Sequence, residues 1–135
     1  MSSTAPEDRP TVQLLHELPD GSAHVDWMLA TDPQGERPLI TFRLPGRVDE
    51  LEAGQAMEAQ RIADHRPAYL TYQGPVSGGR GTVRRLRGGL VRTIDEGEET
   101  WSVEVLWEGD GGAQIRQRLR LELRGQSCRV VAEYP

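Results

Sequence analysis

The sequence predicts an all-β fold, a compact single-domain β-barrel with at most one short helix. Three observations carry that reading. Short segments alternate apolar and polar residues with a period of two, the pattern of a half-buried strand. The 15 glycines and 9 prolines break the chain often, which favours many turns over long helices. So many strands would leave exposed edges in an open sheet, and closure into a barrel removes them. A chain of 135 residues suits one domain with one core. With 36% apolar and 5% aromatic residues, that core should be modest.

Residues 1–10, MSSTAPEDRP, read as a disordered leader, and 11–135 as the barrel domain. The expected strands are Thr11–Glu17, Ala23–Ala30, Pro38–Leu44, Tyr69–Gln73, Gly81–Arg87, Leu90–Ile94, Thr100–Trp107, Gln114–Arg124 and Ser127–Glu133. The cleanest alternation is Trp101, Val103, Val105 and Trp107; Ile115, Leu119, Leu121 and Leu123 continue it on a later strand. Between these two strands, Gly-Asp-Gly-Gly at 109–112 signals a hairpin. A second hairpin turn is expected at Gly88–Gly89. Asp49–Ala63 is the exception: Ala, Glu, Met and Gln favour a helix there, and Gly54 divides it. The first half is expected as a short helix or turn, and the second half is ambiguous.

Composition excludes several classes. The only cysteine is Cys128, so there is no internal disulfide or cysteine-rich zinc site; a small buried hydrophobe in a reducing compartment is expected. All sixteen basic residues are arginine, so lysine-nucleophile chemistry, including a covalent lysyl-nucleotide, is excluded. The N-terminus lacks the basic and apolar regions of a signal peptide, and no run is apolar enough for a membrane helix. The expectation is a soluble, cytoplasmic monomer with no membrane partner.

Four features carry chemistry. In His24-Val25-Asp26-Trp27-Met28-Leu29, a strand would turn Val25, Trp27 and Leu29 to the core and His24, Asp26 and Met28 to the barrel mouth or solvent. Imidazole and carboxylate on one face can hold a divalent cation, or be plain polar surface. His65 precedes Arg66-Pro67, where Pro67 disfavours helix, so it sits in a turn or loop entering a strand. Residues 73–83, QGPVSGGRGTV, contain four glycines whose backbone can approach an anion or simply connect strands. Finally, His65–Ile94 contains no acidic residue but carries Arg66, Arg80, Arg84, Arg85, Arg87 and Arg92, a block of net +6 in a chain of net −5. Such a block reads as a phosphate footprint or as strand faces paired with neighbouring glutamates.

The order of these pieces resembles the 3′-phosphoesterase module of bacterial DNA ligase D and its stand-alone relatives. That family reads a histidine, then H-Y-D-F-R-L-E, then D-H-P-x-x-Y, then a glycine-rich G-G-G-T-V. Here the order is His16, then His24-Val25-Asp26-Trp27-Met28-Leu29, then Asp64-His65-Arg66-Pro67-Ala68-Tyr69, then Gly78-Gly79-Arg80-Gly81-Thr82-Val83. The match spans residues 11–94. The resemblance implies a β-barrel and a manganese-dependent phosphoesterase, with zinc as the other possible metal. Such enzymes trim ribonucleotides and phosphates from DNA 3′ ends in repair, so the implied partners are a nucleic-acid 3′ end and a separate repair ligase or polymerase. By position, His16, His24 and Asp26 would hold the metal, and His65, supported by Tyr69, would act on the scissile phosphate. The family places an arginine two residues after the strand aspartate, and here that residue is Met28. Arg80 and Arg66 are the candidates to replace it. The alternative is a catalytically impaired module of the same fold that binds nucleic-acid ends or phosphate.

Overall fold

A computed structural model describes residues 7–134. Nine antiparallel strands run in chain order: β1 (Arg9–Glu17), β2 (Ala23–Leu29), β3 (Leu39–Leu44), β4 (Ala56–His65), β5 (Gly74–Pro75), β6 (Thr82–Glu96), β7 (Thr100–Glu108), β8 (Gln114–Arg124) and β9 (Ser127–Glu133). Eight of them follow the order β1-β2-β3-β4-β9-β8-β7-β6, and β6 pairs back onto β1, so the all-β barrel is closed. The short β5 pairs with the first residues of β6, where β7 does not reach. Among the described residues no helix is long and apolar enough to cross a membrane.

Strands β8 and β9 fall on the expected residues, and Gly111 and Gly112 turn between β7 and β8 with positive φ. Four expectations are corrected. Arg9 and Pro10, expected in the leader, belong to β1: the Arg9 guanidinium donates to Thr93 Oγ1 at 3.0 Å, and the Pro10 carbonyl accepts from Ala30 N–H at 2.9 Å. The rest of that leader, residues 1–6, lies outside the described residues. Helix propensity loses at Ala56–His65, where β3 and β9 each need a partner to close the barrel and β4 supplies it. The first half of that stretch does hold a 3₁₀ turn, Val48–Glu50. Instead of a strand at Tyr69–Gln73, Pro67–Leu70 forms a 3₁₀ turn, since Pro67 lacks an N–H and presets the turn's φ. Gly88–Gly89 is not a hairpin turn but the middle of β6.

Close approach explains those two glycines. A Cβ on Gly88 would meet the Arg85 guanidinium, and one on Gly89 would run into the Leu106 carbonyl and the Trp107 Cα. Gly89→Ala should therefore destabilise the fold by ~1–3 kcal/mol, the usual cost of overpacking, measurable by urea denaturation.

The barrel interior is built from the alternate residues of β2 to β4 and β6 to β9, including Trp27, Leu29, Phe42, Val91, Val103, Trp107, Leu119 and Val130. All three tryptophan N–H groups are satisfied, by Thr11, Thr93 and Gln117. Cys128 is buried as expected, and burial pushes its thiol up to about 12. The 3₁₀ turn at Val48–Glu50 packs Val48 against this interior core. Gln13 donates to Asp49 at 2.7 Å and accepts from Val48 N–H at 2.8 Å, while Gln117 donates to the Val48 carbonyl. Arg47 grips Asp49 at 2.8 Å, and Arg87 stands at 3.6 Å.

Burial alone would raise the Asp49 pKa, but hydrogen bonds from Arg47 and Gln13 and the two guanidinium charges outweigh it, and the net shift is downward. A depressed carboxyl stabilises the fold above its unfolded pKa of about 3.9 and loses that contribution as pH falls through the folded value. Asp49→Asn should accordingly flatten the acid limb of stability against pH below about pH 4, read from thermal melts across that range.

A second, smaller core lies on the outer face of the wall. Val12 and Leu14 of β1, Met28 of β2, Leu39 of β3 and Val83 of β6 alternate with the interior residues. They are covered by Tyr69, Leu70 and Val76, which belong to the segment between β4 and β6. This roofed outer wall, rather than the barrel mouth, carries the candidate site.

Candidate metal and phosphate site

Antiparallel register places the site residues. His16 of β1 lies opposite His24 of β2, and Asp26 lies between Leu14 of β1 and Arg43 of β3. All of them therefore share the outer face. One ligand atom each from His16, His24 and Asp26 lies within 4.8 Å of the others. His24 Nε2 stands 3.1 Å from Asp26 Oδ1, and His16 Nδ1 stands 3.6 Å from Asp26 Oδ2. The two imidazoles meet edge to face at 4.8 Å. His16 thus converges with the other two across the Pro19-Asp20-Gly21 turn.

The decisive detail is a bond that is not made. His24 Nε2 and Asp26 Oδ1 are both buried, and neither has a hydrogen-bond partner among the described residues although they face each other. An imidazole nitrogen and a carboxylate oxygen at this distance attract when the ring is protonated and can flank a shared cation when the ring is neutral. Neighbouring ligands about 2.1 Å from one cation stand roughly 3.0–3.4 Å apart, so the His24–Asp26 spacing fits a shared divalent ion, while His16, 3.6 Å from Asp26, would have to draw in to join it. The outer ring nitrogens agree. His16 Nε2 donates to the Arg80 carbonyl at 2.7 Å, which leaves Nδ1 free to ligate, the usual tautomer control of a metal-bound histidine. Burial, opposed by Asp26 and helped by the charge of Arg43, lowers the His24 pKa and favours the neutral imidazole that a metal needs.

A cavity of about 650 Å³ opens beside these ligands. Asp26, His16, His65, Tyr69, Arg66 and Arg80 all line it, so the structure brings the sequence-predicted residues together. His24 faces the adjoining hollow instead, and Arg43 lines both. His65 Nδ1 donates to the Ala63 carbonyl at 2.9 Å, and its ring meets that of Tyr69 edge to face at 5.5 Å.

The arginines divide differently from the expectation. Arg80 folds onto its own turn, donating to the Ser77 carbonyl at 2.7 Å and to Ser77 Oγ at 3.2 Å. Its carbonyl, not its guanidinium, serves His16. Arg85, Arg87 and Arg92 pair with Glu108 of β7, Asp49 of the 3₁₀ turn and Asp8 just before β1, so half of the basic block stands against carboxylates. The glycine-rich segment is the β5–β6 hairpin, closed by Val76 N–H on the Gly81 carbonyl at 2.7 Å.

Sequence reading missed Arg43. It stands directly across the ladder from Asp26 and makes no ion pair or side-chain hydrogen bond among the described residues. The signal was available: Ile40, Phe42 and Leu44 alternate inward, which puts Arg43 on the face of Asp26 once β3 pairs with β2. Met28, by contrast, is fully buried in the second core.

Compared with known proteins, the chain matches no protein-family model and no curated protein at a significant level.

Proposed function

We propose that this chain is a divalent-metal-dependent phosphoesterase acting at nucleic-acid 3′ ends, with manganese the favoured ion and zinc the other. The observation that carries the metal is the buried, unbonded His24–Asp26 pair, joined by His16. Two imidazoles and one carboxylate suit Mn or Zn and leave positions for phosphate and water. The 3′-end substrate rests on the motif resemblance, which no comparison extends.

A bound divalent cation polarises a phosphoryl oxygen and makes a bound water more acidic. The chain's own residues do the rest. His16, His24 and Asp26 would hold the ion against the wall. Arg43 reaches the phosphate from β3 and offsets its developing charge, replacing the cation absent at Met28. His65, its ring set by Ala63 and Tyr69, presents Nε2 to a phosphate oxygen or leaving group. Met28 favours a second reading, an end-binding module without turnover, because the arginine the family carries there is missing.

The test is a DNA primer–template bearing a 3′-phosphate or a 3′-terminal ribonucleotide, incubated with Mn²⁺. Phosphate or nucleoside release supports the enzyme. Metal-dependent binding of the same end without product supports the binding module, and absence of both removes the reading.

A further inference from the structure

Beside the phosphate cavity lies a smaller cleft of about 270 Å³, walled by Tyr69, Tyr72, Ala68 and Pro75, with Arg66 and Ser77 at its edges. Tyr69 and Arg66 line both spaces. A volume below the ~300–1,000 Å³ of pockets for drug-sized ligands suits a single flat ring system. The walls contact one another. The Tyr72 hydroxyl donates to the Pro75 carbonyl, and the Tyr69 and Tyr72 rings meet edge to face at 5.8 Å. Three rings therefore step outward from the phosphate side, His65 to Tyr69 to Tyr72, each within 6 Å of the next. Tyr72 is 38% exposed, so its ring is available to a ligand.

We infer that this cleft is a nucleobase subsite: it takes the base of the terminal nucleotide whose 3′-phosphate lies at the metal cavity. The inference rests on the phosphoesterase reading and adds how a nucleotide is told from a simple phosphate. The phosphate sits by His65, the sugar passes Tyr69, and the base packs against Tyr72 and Pro75. Arg66, exposed at the junction, faces either the phosphate or the π-face of the base. Stacking on an aromatic wall tolerates any base, so the subsite recognises a nucleotide without reading sequence.

The experiment compares Mn²⁺-loaded protein binding inorganic phosphate and adenosine 3′-monophosphate by titration calorimetry. The nucleotide is expected to bind tighter by roughly 5- to 100-fold, the range of one base–aromatic stack. Tyr72→Ala should collapse that ratio towards one, with Mn²⁺ affinity measured as the control. Ala68→Trp, which fills the cleft from an exposed position, should do the same should Tyr72→Ala fold poorly. Equal affinities for the two ligands in the parent protein, or a ratio untouched by both variants, overturns the subsite while leaving the phosphate site standing. Failure to bind Mn²⁺ or inorganic phosphate at all overturns the phosphoesterase reading first, and the subsite with it.

Discussion

Asp26→Ala should weaken Mn²⁺ and Zn²⁺ binding by at least ~100-fold, since even outer-shell partners of a metal cost 10–100-fold when lost. Titration calorimetry on the parent and the variant measures it. The accompanying stability change separates a metal centre from a structural ion pair. Breaking a well-made buried pair costs ~3–5 kcal/mol. Here Asp26 is 2% exposed and faces His24 and His16 at 3.1 and 3.6 Å, and its Oδ1 lacks a hydrogen bond among the described residues. Divalent metal should raise the thermal stability of the parent and leave that of Asp26→Ala unchanged. A large loss of stability with unchanged metal affinity would falsify the metal centre. His24→Ala should behave in the same direction, because its Nε2 is the other unbonded atom.

Arg43→Ala should lower kcat/KM on a 3′-phosphorylated end by roughly 10²–10³-fold, the loss typical of removing one fixed donor from a developing oxyanion. Metal affinity should stay as in the parent, because Arg43 ligates nothing. Arg43→Lys should recover only part of the rate, since an ammonium cannot grip two phosphate oxygens at once. Steady-state kinetics with Mn²⁺ held saturating checks both. An unchanged kcat/KM in Arg43→Ala removes the guanidinium from the site. Placing arginine at position 28 is the poorer experiment: Met28 lines the cavity but is fully buried and packs with Val12, Leu14, Leu39 and Val83, a core that the longer side chain would disturb.

How much of this was legible in the sequence depends on whether the information is local. Strands β7, β8 and β9 could be read directly, because Trp101, Val103, Val105 and Trp107 bury one face and the other faces outward. β4 could not, because its inward residues are Met57 and Ala59, which give a weak period, and its strand state is imposed by the unpaired edges of β3 and β9. Gly88–Gly89 misled for a related reason: glycine marks a tight turn and a close crossing with the same letter, and only the Leu106 backbone distinguishes them. At the site, His16, His24 and Asp26 were singled out from the sequence and stand within 4.8 Å of one another, and His65 and Tyr69 line the cavity that His16 and Asp26 share. Arg43 required the β2–β3 register, which no spacing along the chain encodes. The pairing of Arg85, Arg87 and Arg92 with carboxylates likewise depends on which segments, one strand, one turn and one strand entry, the barrel brings beside β6.

The two cores have a further consequence. The barrel interior holds none of the metal trio; the site lives between the outer wall and a roof anchored by Tyr69, Leu70 and Val76. Local opening costs less than global unfolding where few apolar contacts hold a segment down. Opening of that roof alone would draw away the Arg80 carbonyl that orients His16 and the Tyr69 ring that packs on His65, and would leave the barrel shut. The integrity of the barrel and that of the candidate site are thus separable: a protein with a lifted roof would keep its strand content and its tryptophan environment, yet have a disassembled site.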